Sequence, residues 1–352
     1  MRIGVLTSGG DAPGMNAAIR IVAVVGMARG HEVVGIQRGY VGLLNKETVA
    51  FNLPDIDGIS RYGGTVLGSA RCKEFPTPEG QERACQAIKE MGLDALIVIG
   101  GNGSLTGAHL LAHKTDAQII GLPASIDNDV GHCGLSIGTD TAVNTIVEAC
   151  DRIMDTARAH QRAFIVEVMG RQSGFLAMRA GIAAEADAIL YGEKQRTEQE
   201  NMDLMMGVLR RCFAPDRQKT RALIIKAEGV DFSTTEMATK LEAKLQEEIP
   251  GTSIRATVLG HVVRGGRPSG LDRALAQRLA FAAIMACERG LTDQMMSWEP
   301  PTHFGVQTQD PSVWIVPIAE MLAETKRMLD GTSPIIQQRI QLLNQVEQLL
   351  AF

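Results

Sequence analysis

Short apolar runs, unbroken by polar alternation, recur along the chain, each giving way to a glycine-rich or polar turn and then to helical spacing. Ile3–Leu6 leads into Gly9-Gly10-Asp11-Ala12-Pro13-Gly14, and a helix is predicted over Met15–Met27. Val33–Ile36 reads as a second strand. Ala95–Ile99 ends in Gly100-Gly101-Asn102-Gly103-Ser104, with a helix to about His113. Ile119–Leu122 runs into Ser125-Ile126-Asp127-Asn128-Asp129, followed by a helix over about Thr141–Arg158. The second half repeats the alternation, with Phe164–Val168 before Met169-Gly170-Arg171-Gln172-Ser173-Gly174, a short strand at Ala188–Leu190, and Leu223–Ile225 before Glu228-Gly229. Runs rich in Val, Ile and Ala suit parallel strands covered on both faces. Strand–helix alternation throughout predicts an α/β protein of two doubly wound domains with largely parallel sheets. No low-complexity linker separates them, so they are expected to pack around a cleft. Pro334–Phe352 reads as an amphipathic helix, opened by proline, with Ile336, Ile340, Leu343, Val346 and Leu350 near helical spacing.

Composition narrows this picture. The 352 residues exceed the size at which one core usually stops growing, which again favours two domains of roughly 150 residues each. The formal net charge of −5 offers no polycationic surface for nucleic acid. Bound phosphates would need a local basic cluster instead. Six cysteines are scattered without a C-x-x-C pair, which indicates neither a zinc site nor a disulfide scaffold. The first residues read as a strand rather than a signal peptide, and no apolar run reaches the roughly 20 residues that span a bilayer. A cytoplasmic location is expected, without membrane attachment.

The candidate chemistry sits at strand ends, where open α/β sheets bind ligands. Gly9-Gly10 and Gly100–Ser104 each follow a strand and precede a helix, so backbone N–H groups and a helix N-terminus can meet phosphate oxygens. Neither matches G-x-G-x-x-G or the P-loop, and a single such turn is more often an ordinary tight turn. Asp127 and Asp129 flank Asn128 directly after a buried strand. Taken alone, this pair is more simply a solvated acidic turn. Phosphoryl transfer, however, needs one carboxylate to accept a hydroxyl proton and another to hold Mg²⁺. Arg71, Arg162, Arg171, Arg255 and Arg264 lie beside glycine-rich or strand-terminal segments, and guanidinium forks match phosphate oxygens in bidentate geometry. His261 could donate to a phosphate or a sugar hydroxyl, although a lone histidine at a strand end is more often structural.

Five segments in this order resemble the phosphofructokinases over about residues 1–305: Thr7–Asn16, Gly63–Arg71, Ser125–Asp129, Glu167–Arg171 and Leu259–Gly266. The resemblance implies two Rossmann-like domains with the active site in the cleft between them. Residues 1–137 with about 263–305 would bind the nucleotide. Residues 138–262 with about 306–352, including the C-terminal helix, would bind the sugar phosphate. It further implies that Asp127 deprotonates the 1-hydroxyl of fructose 6-phosphate for attack on the γ-phosphate of ATP, and that Asp129 orients Mg²⁺. Arg71 and Arg171 would stabilise the transferring phosphoryl group, beside Ser125 in place of the family's usual threonine. Arg162, Arg255, His261 and Arg264 would grip the 6-phosphate, some of them from a neighbouring subunit, and Met169 and Glu228 would contact the sugar. Gly9, Tyr40, Arg71, Cys72, Gly101, Asn102, Gly103 and Ser104 match the nucleotide loops. A homotetramer is the usual family assembly.

Three points refine the resemblance. Pyrophosphate-using relatives typically carry Asp at Gly103 and Lys at Ala124; both are small here, which favours ATP. Asn102 stands where ATP-dependent members commonly have Asp, so its carbonyl would be an uncharged metal ligand beside Asp129. This leaves two readings: an active enzyme with weakened Mg²⁺ affinity, or a regulatory chain that turns over poorly. The basic effector cluster is also incomplete. Arg20 fits it, but Val24 and Leu53 replace expected basic residues, and Lys219 and Arg221 are the remaining candidates. Weak or altered allosteric response is expected. A dehydrogenase lacks support without G-x-G-x-x-G, and the lipid and NAD kinases lack the Ser125–Asp129 and Leu259–Gly266 partners. Sedoheptulose 7-phosphate remains a further candidate acceptor.

Overall fold

A computed structural model describes residues 1–214, 221–300 and 304–350, the side chains of 346–350 excepted. Its strands, in chain order, are β1 (Arg2–Ser8), β2 (Glu32–Ile36), β3 (Thr48–Ala50), β4 (Ala95–Gly100), β5 (Gln118–Pro123), β6 (Arg162–Val168), β7 (Ala188–Leu190), β8 (Ala222–Ala227), β9 (Ser253–Val258), β10 (Gln294–Trp298), β11 (Val306–Gln307) and β12 (Val313–Pro317). The chain divides into two units, Met1–Thr141 with Arg264–Arg327, and Ala142–Val263 with Met328–Phe352.

In the first unit eight strands form one sheet in the order β11-β12-β10-β5-β4-β1-β2-β3. The central pairings β2/β1, β1/β4, β4/β5 and β5/β10 are parallel. Antiparallel pairing is confined to the two margins, β2/β3 at one and β10/β12 and β11/β12 at the other. Every residue of β4 is buried, as expected of a strand covered on both faces. Each of its Ile and Val side chains contributes about 2 kcal/mol by leaving water. The chain leaves β1 for β2 on one side and returns through β4 on the other, so the sheet's switch point lies between β1 and β4. Ser8 pairs with Gly100, and Gly100 with Pro123, so the three strands end level. That register brings their three following turns to one edge.

The second unit holds a four-stranded, wholly parallel sheet in the order β7-β8-β6-β9. Val168 pairs with Ala227 and Glu167 with Val258, so the segments after β6, β8 and β9 also lie at one edge. The Pro334–Leu350 helix packs in this unit, against β7 and the turn at Gly192–Lys194. Ile336 and Leu343 are buried and Ile340 is half-buried. Val346 and Leu350, also expected on its apolar face, have side chains outside the described residues.

The expectation that residues 306–352 belong with the second unit needs correction. β11 and β12 pair antiparallel beside β10, so the chain stays in the first unit to Arg327 and only the last segment returns to the second. No helix among the described residues is long and apolar enough to cross a membrane.

Candidate active site

The first turn is built against two neighbours. Gly9 has a φ of 85° and Gly14 one of 113°, conformations that favour glycine. A Cβ on Gly10 would lie 2.6 Å from Nη1 of Arg264, so the guanidinium rests directly on the backbone of this turn. The same nitrogen donates to the Asp11 carbonyl at 3.3 Å. The Gly63–Arg71 loop is tied to the turn from the other side. Asn16 donates to the Tyr62 and Gly63 carbonyls and accepts from the Val66 N–H at 2.8 Å. The Thr7 hydroxyl donates to the Gly68 carbonyl at 2.9 Å, and Ser69 Oγ donates to the Gly9 carbonyl at 2.6 Å. Arg71 leaves this anchored loop exposed to solvent.

Gly101 begins the Asn102–Ala112 helix with no side-chain cap and no acidic residue in its first turn. Its leading N–H groups and positive dipole end therefore suit an anion. Ser104 lies against Gly9, where a Cβ would come within 3.2 Å of Ser104 Oγ. A Cβ on Gly103 would meet nothing within 4 Å, so this position opens onto free space. Ala124, by contrast, is buried and bridges to Ile137. Tyr40 is buried, stacked on Phe75 with ring centroids 3.9 Å apart, and donates its hydroxyl to the Ser104 carbonyl at 2.7 Å. Burial raises its phenol pKa, so the hydroxyl stays protonated and holds the helix start. Arg71 and Cys72 line a pocket of about 380 Å³ with Val41, Leu44, Asn45, Lys73 and Glu74.

The third turn separates the two aspartates by conformation. Asn128 adopts a left-handed φ of 47°, a conformation asparagine tolerates better than most residues. Its amide is buried, donating to the Gly134 carbonyl and accepting from the Ser136 N–H at 2.9 Å. Ser125 Oγ donates to Asp129 Oδ1 at 3.2 Å and accepts from the Asp127 N–H at 3.3 Å. Asp127 is buried and Asp129 half-buried. Asn102, expected at the metal, has both ends of its amide engaged. Its nitrogen donates to the Asp129 carbonyl at 3.2 Å, and its oxygen accepts from Thr325 at 3.3 Å. Thr325 Oγ1 also accepts from the Gly131 N–H at 2.8 Å. Asn102 thus braces the aspartate loop against the Ile318–Leu329 helix. Behind that loop, the fully buried Asp272 carboxylate accepts from the Gly138 and Thr141 N–H groups and the Thr141 hydroxyl, at 2.8, 2.7 and 2.5 Å. Burial raises its pKa against the lowering effect of those bonds.

The second unit presents its own set. Arg171 adopts a φ of 52° just after β6, the kind of backbone strain that gathers at functional sites. Glu228 Oε2 accepts from the Gly170 and Arg171 N–H groups at 3.2 and 3.1 Å, which fixes this turn. Met169 follows β6 and is half-buried, and His261 follows β9 and is exposed. Arg162 donates to Ser253 Oγ at 3.2 Å, and Arg255 is ion-paired with Glu242 at 3.1 Å. A phosphate reaching Arg255 must therefore compete with a carboxylate.

One feature escaped the sequence reading. Lys226 is almost wholly buried on β8, with Nζ 3.1 Å from Glu167 Oε2 and 5.0 Å from the centre of the Phe232 ring. Thr234 donates to the same carboxylate oxygen. These residues and Glu228 line a pocket of about 630 Å³. The signal was present: a lysine interrupts the apolar run of β8 two positions before Glu228, and alternate strand residues share a face. Of the effector candidates, Arg20 and Val24 are half-buried and Leu53 is exposed. Arg221 is half-buried, and Lys219 lies outside the described residues.

The phosphofructokinase family model matches residues 2–287. An ATP-dependent 6-phosphofructokinase of Thermotoga neapolitana is 42% identical over 329 residues, covering 94% of this chain and 96% of the relative. ATP-dependent 6-phosphofructokinase 2 of Bacteroides thetaiotaomicron is 46% identical over 284 residues, 81% of this chain and 84% of its own. Among solved structures, phosphofructokinase from Saccharomyces cerevisiae superposes with a TM-score of 0.84 at 30% identity. That match takes in 98% of this chain, which spans about half (49%) of the yeast chain. A pyrophosphate-dependent phosphofructokinase from Marinobacter aquaeolei shares the fold, with a TM-score of 0.75 at 19% identity over 91% of this chain and 84% of its own. With anchored glycine turns, a paired-aspartate loop and arginines at the strand ends, and with matches across nearly its whole length, the chain belongs to the phosphofructokinase family.

Proposed function

We propose that this chain transfers the γ-phosphate of ATP to the 1-hydroxyl of fructose 6-phosphate, forming fructose 1,6-bisphosphate. The observation that carries the reading is the Ser125–Asp129 turn. It sets a buried Asp127 and a half-buried Asp129 at the end of β5, level with the uncapped helix start at Gly101 and the turn at Gly9. Asp127 accepts the proton of the attacking hydroxyl. Backbone N–H groups at Gly101–Ser104 bind phosphate oxygens, and Arg71 and Arg171 meet the charge of the transferring group, where positioning and electrostatics supply most of the catalysis. On the sugar side, Arg162, Arg255, His261 and Arg264 hold the 6-phosphate, and Met169 and Glu228 contact the sugar. The pocket at Arg71 and Cys72 takes part of the nucleotide, and the open space at Gly103 favours that larger donor over pyrophosphate.

The donor set fits Mg²⁺. Asp129 supplies a hard, anionic oxygen of the kind this ion prefers, already oriented by Ser125. Because the Asn102 oxygen faces Thr325, the charge at the metal rests on Asp129. When bound with the nucleotide, Mg²⁺ neutralises charge on the phosphate oxygens. A homotetramer and a cytoplasmic location complete the proposal; sedimentation of the purified protein tests the first. The activity itself is tested by following phosphorus NMR during incubation with ATP, Mg²⁺ and fructose 6-phosphate. A new 1-phosphate signal that appears with wild type, and not with Asp127→Asn, supports the reading. Hydrolysis of ATP without that signal contradicts it.

A further inference from the structure

Seven residues beyond Asn102, about 10 Å along the helix axis, the Asn102–Ala112 helix carries a histidine with no part in phosphoryl transfer. His109 and His113 are spaced i, i+4, so they share one helix face. Both turn toward Asp293, which immediately precedes β10 and holds a left-handed φ of 55°. His109 Nδ1 lies 2.9 Å from each Asp293 carboxylate oxygen, and His113 Nε2 lies 3.3 Å from Oδ2. The two imidazoles meet edge to face with centroids 4.7 Å apart. One ligand atom from each residue falls within 4.8 Å of the others.

We propose that His109, His113 and Asp293 form a binding site for a transition-metal dication such as Zn²⁺ or Co²⁺, separate from the Mg²⁺–nucleotide site. The donor chemistry selects the ion. Two imidazole nitrogens and one carboxylate suit zinc, cobalt and nickel, whereas Mg²⁺ prefers an all-oxygen shell. The geometry is close to what coordination requires, with bonds of about 2.0–2.2 Å from each ligand. His109 and Asp293 are mostly buried and fixed, with 24% and 19% of their side chains exposed. The His113 side chain is 64% exposed and can swing to close the third edge. The remaining coordination positions face solvent and take water. Asp293 is itself rigidly held: its N–H donates to the Ile119 carbonyl at 2.8 Å, and its carbonyl accepts from the Ile318 N–H at 3.1 Å. A bound ion therefore cross-links the end of the phosphate-facing helix to the strands β5 and β10.

The test is a titration of chelator-treated, nucleotide-free protein with Co²⁺, read by its visible absorption bands and by calorimetry. Wild type should bind one ion saturably at this site. His113→Ala and Asp293→Asn should weaken that binding by roughly 10–100-fold or more, at least the loss seen for removal of a ligand's supporting partner. Zn²⁺ should raise the thermal midpoint of wild type and leave that of His113→Ala unchanged. His113 lies outside the phosphotransfer machinery, so retained activity of His113→Ala with Mg²⁺ shows that the variant is folded. No saturable Co²⁺ binding to wild type, or binding equally tight in both variants, overturns the proposal.

Discussion

Asp127 and Asp129 carry the same functional group, and their supports give them different work. Asp127 is buried beside the Ser125 hydroxyl, while Asp129 remains half-exposed and takes a hydrogen bond from that hydroxyl. Replacing Asp127 with Asn keeps the shape and removes the base. Its kcat should fall by about 10²–10⁴-fold, with a smaller change in KM for fructose 6-phosphate; steady-state kinetics checks this. Asn102→Asp makes the opposite trade. It adds charge for Mg²⁺ but turns a carboxylate oxygen toward the Asp129 carbonyl, now 3.2 Å from the amide nitrogen. The variant should saturate at lower Mg²⁺ and lose about 1 kcal/mol of stability in denaturant titration, the low end for an unpaired polar group at a half-buried position. An unchanged magnesium requirement removes position 102 from the metal site. The aspartate loop was legible in the sequence only through the motifs around it, since the carboxylate pair taken alone reads as a solvated acidic turn. The bracing by Thr325 was not, because it joins residues 223 positions apart through one hydroxyl.

Among the elements, strands that are apolar throughout could be read directly, as β1, β4 and β5 show. β9 and β10 could not, because Ser253–Val258 alternates with Arg and Thr and Gln294–Trp298 carries Gln and Ser. β12, Val-Trp-Ile-Val-Pro, is apolar throughout but went unread, and like β10 it pairs with distant partners. The same long-range pairing moved the boundary expected near residue 305 to Arg327. Lys226 shows how far packing can override composition, since a buried strand accommodates a cation when Glu167 stands directly opposite. Lys226→Met should destabilise the protein by about 3 kcal/mol, because it strands a largely buried carboxylate. Adding Glu167→Gln should recover part of that loss, and denaturant titrations of the single and double variants measure it. Helix pairing gives a pH signature. Glu288, ending the Gly270–Glu288 helix, accepts hydrogen bonds from Arg29 and His31, and chiefly the Arg29 bond pushes its pKa down to about 2 from 4.5. A lowered carboxylate pKa favours the fold above pH 4.5, and that contribution is lost as pH falls toward 2. The gap in thermal midpoint between wild type and Glu288→Gln should close over that window.

For the whole molecule, two α/β units with ligand-facing strand ends were expected from alternation alone, and the switch point between β1 and β4 gives the first unit's turns a common edge. Regulation belongs to this scale as well. Leu53 is exposed where a basic residue was expected, and Val24 follows Arg20 by one helical turn, so titration with ADP and phosphoenolpyruvate should shift sugar-phosphate affinity only weakly. Strong, opposed shifts contradict that. The donor is the most consequential whole-molecule property, because relatives of this fold are named for both ATP and pyrophosphate. The space at Gly103 and the pocket beside Arg71 and Cys72 both argue for the nucleotide. The decisive measurement is kcat/KM for ATP and for pyrophosphate, taken with purified protein, Mg²⁺ and saturating fructose 6-phosphate. ATP should support formation of fructose 1,6-bisphosphate with pyrophosphate far behind; turnover with pyrophosphate alone, or with neither donor, contradicts the account.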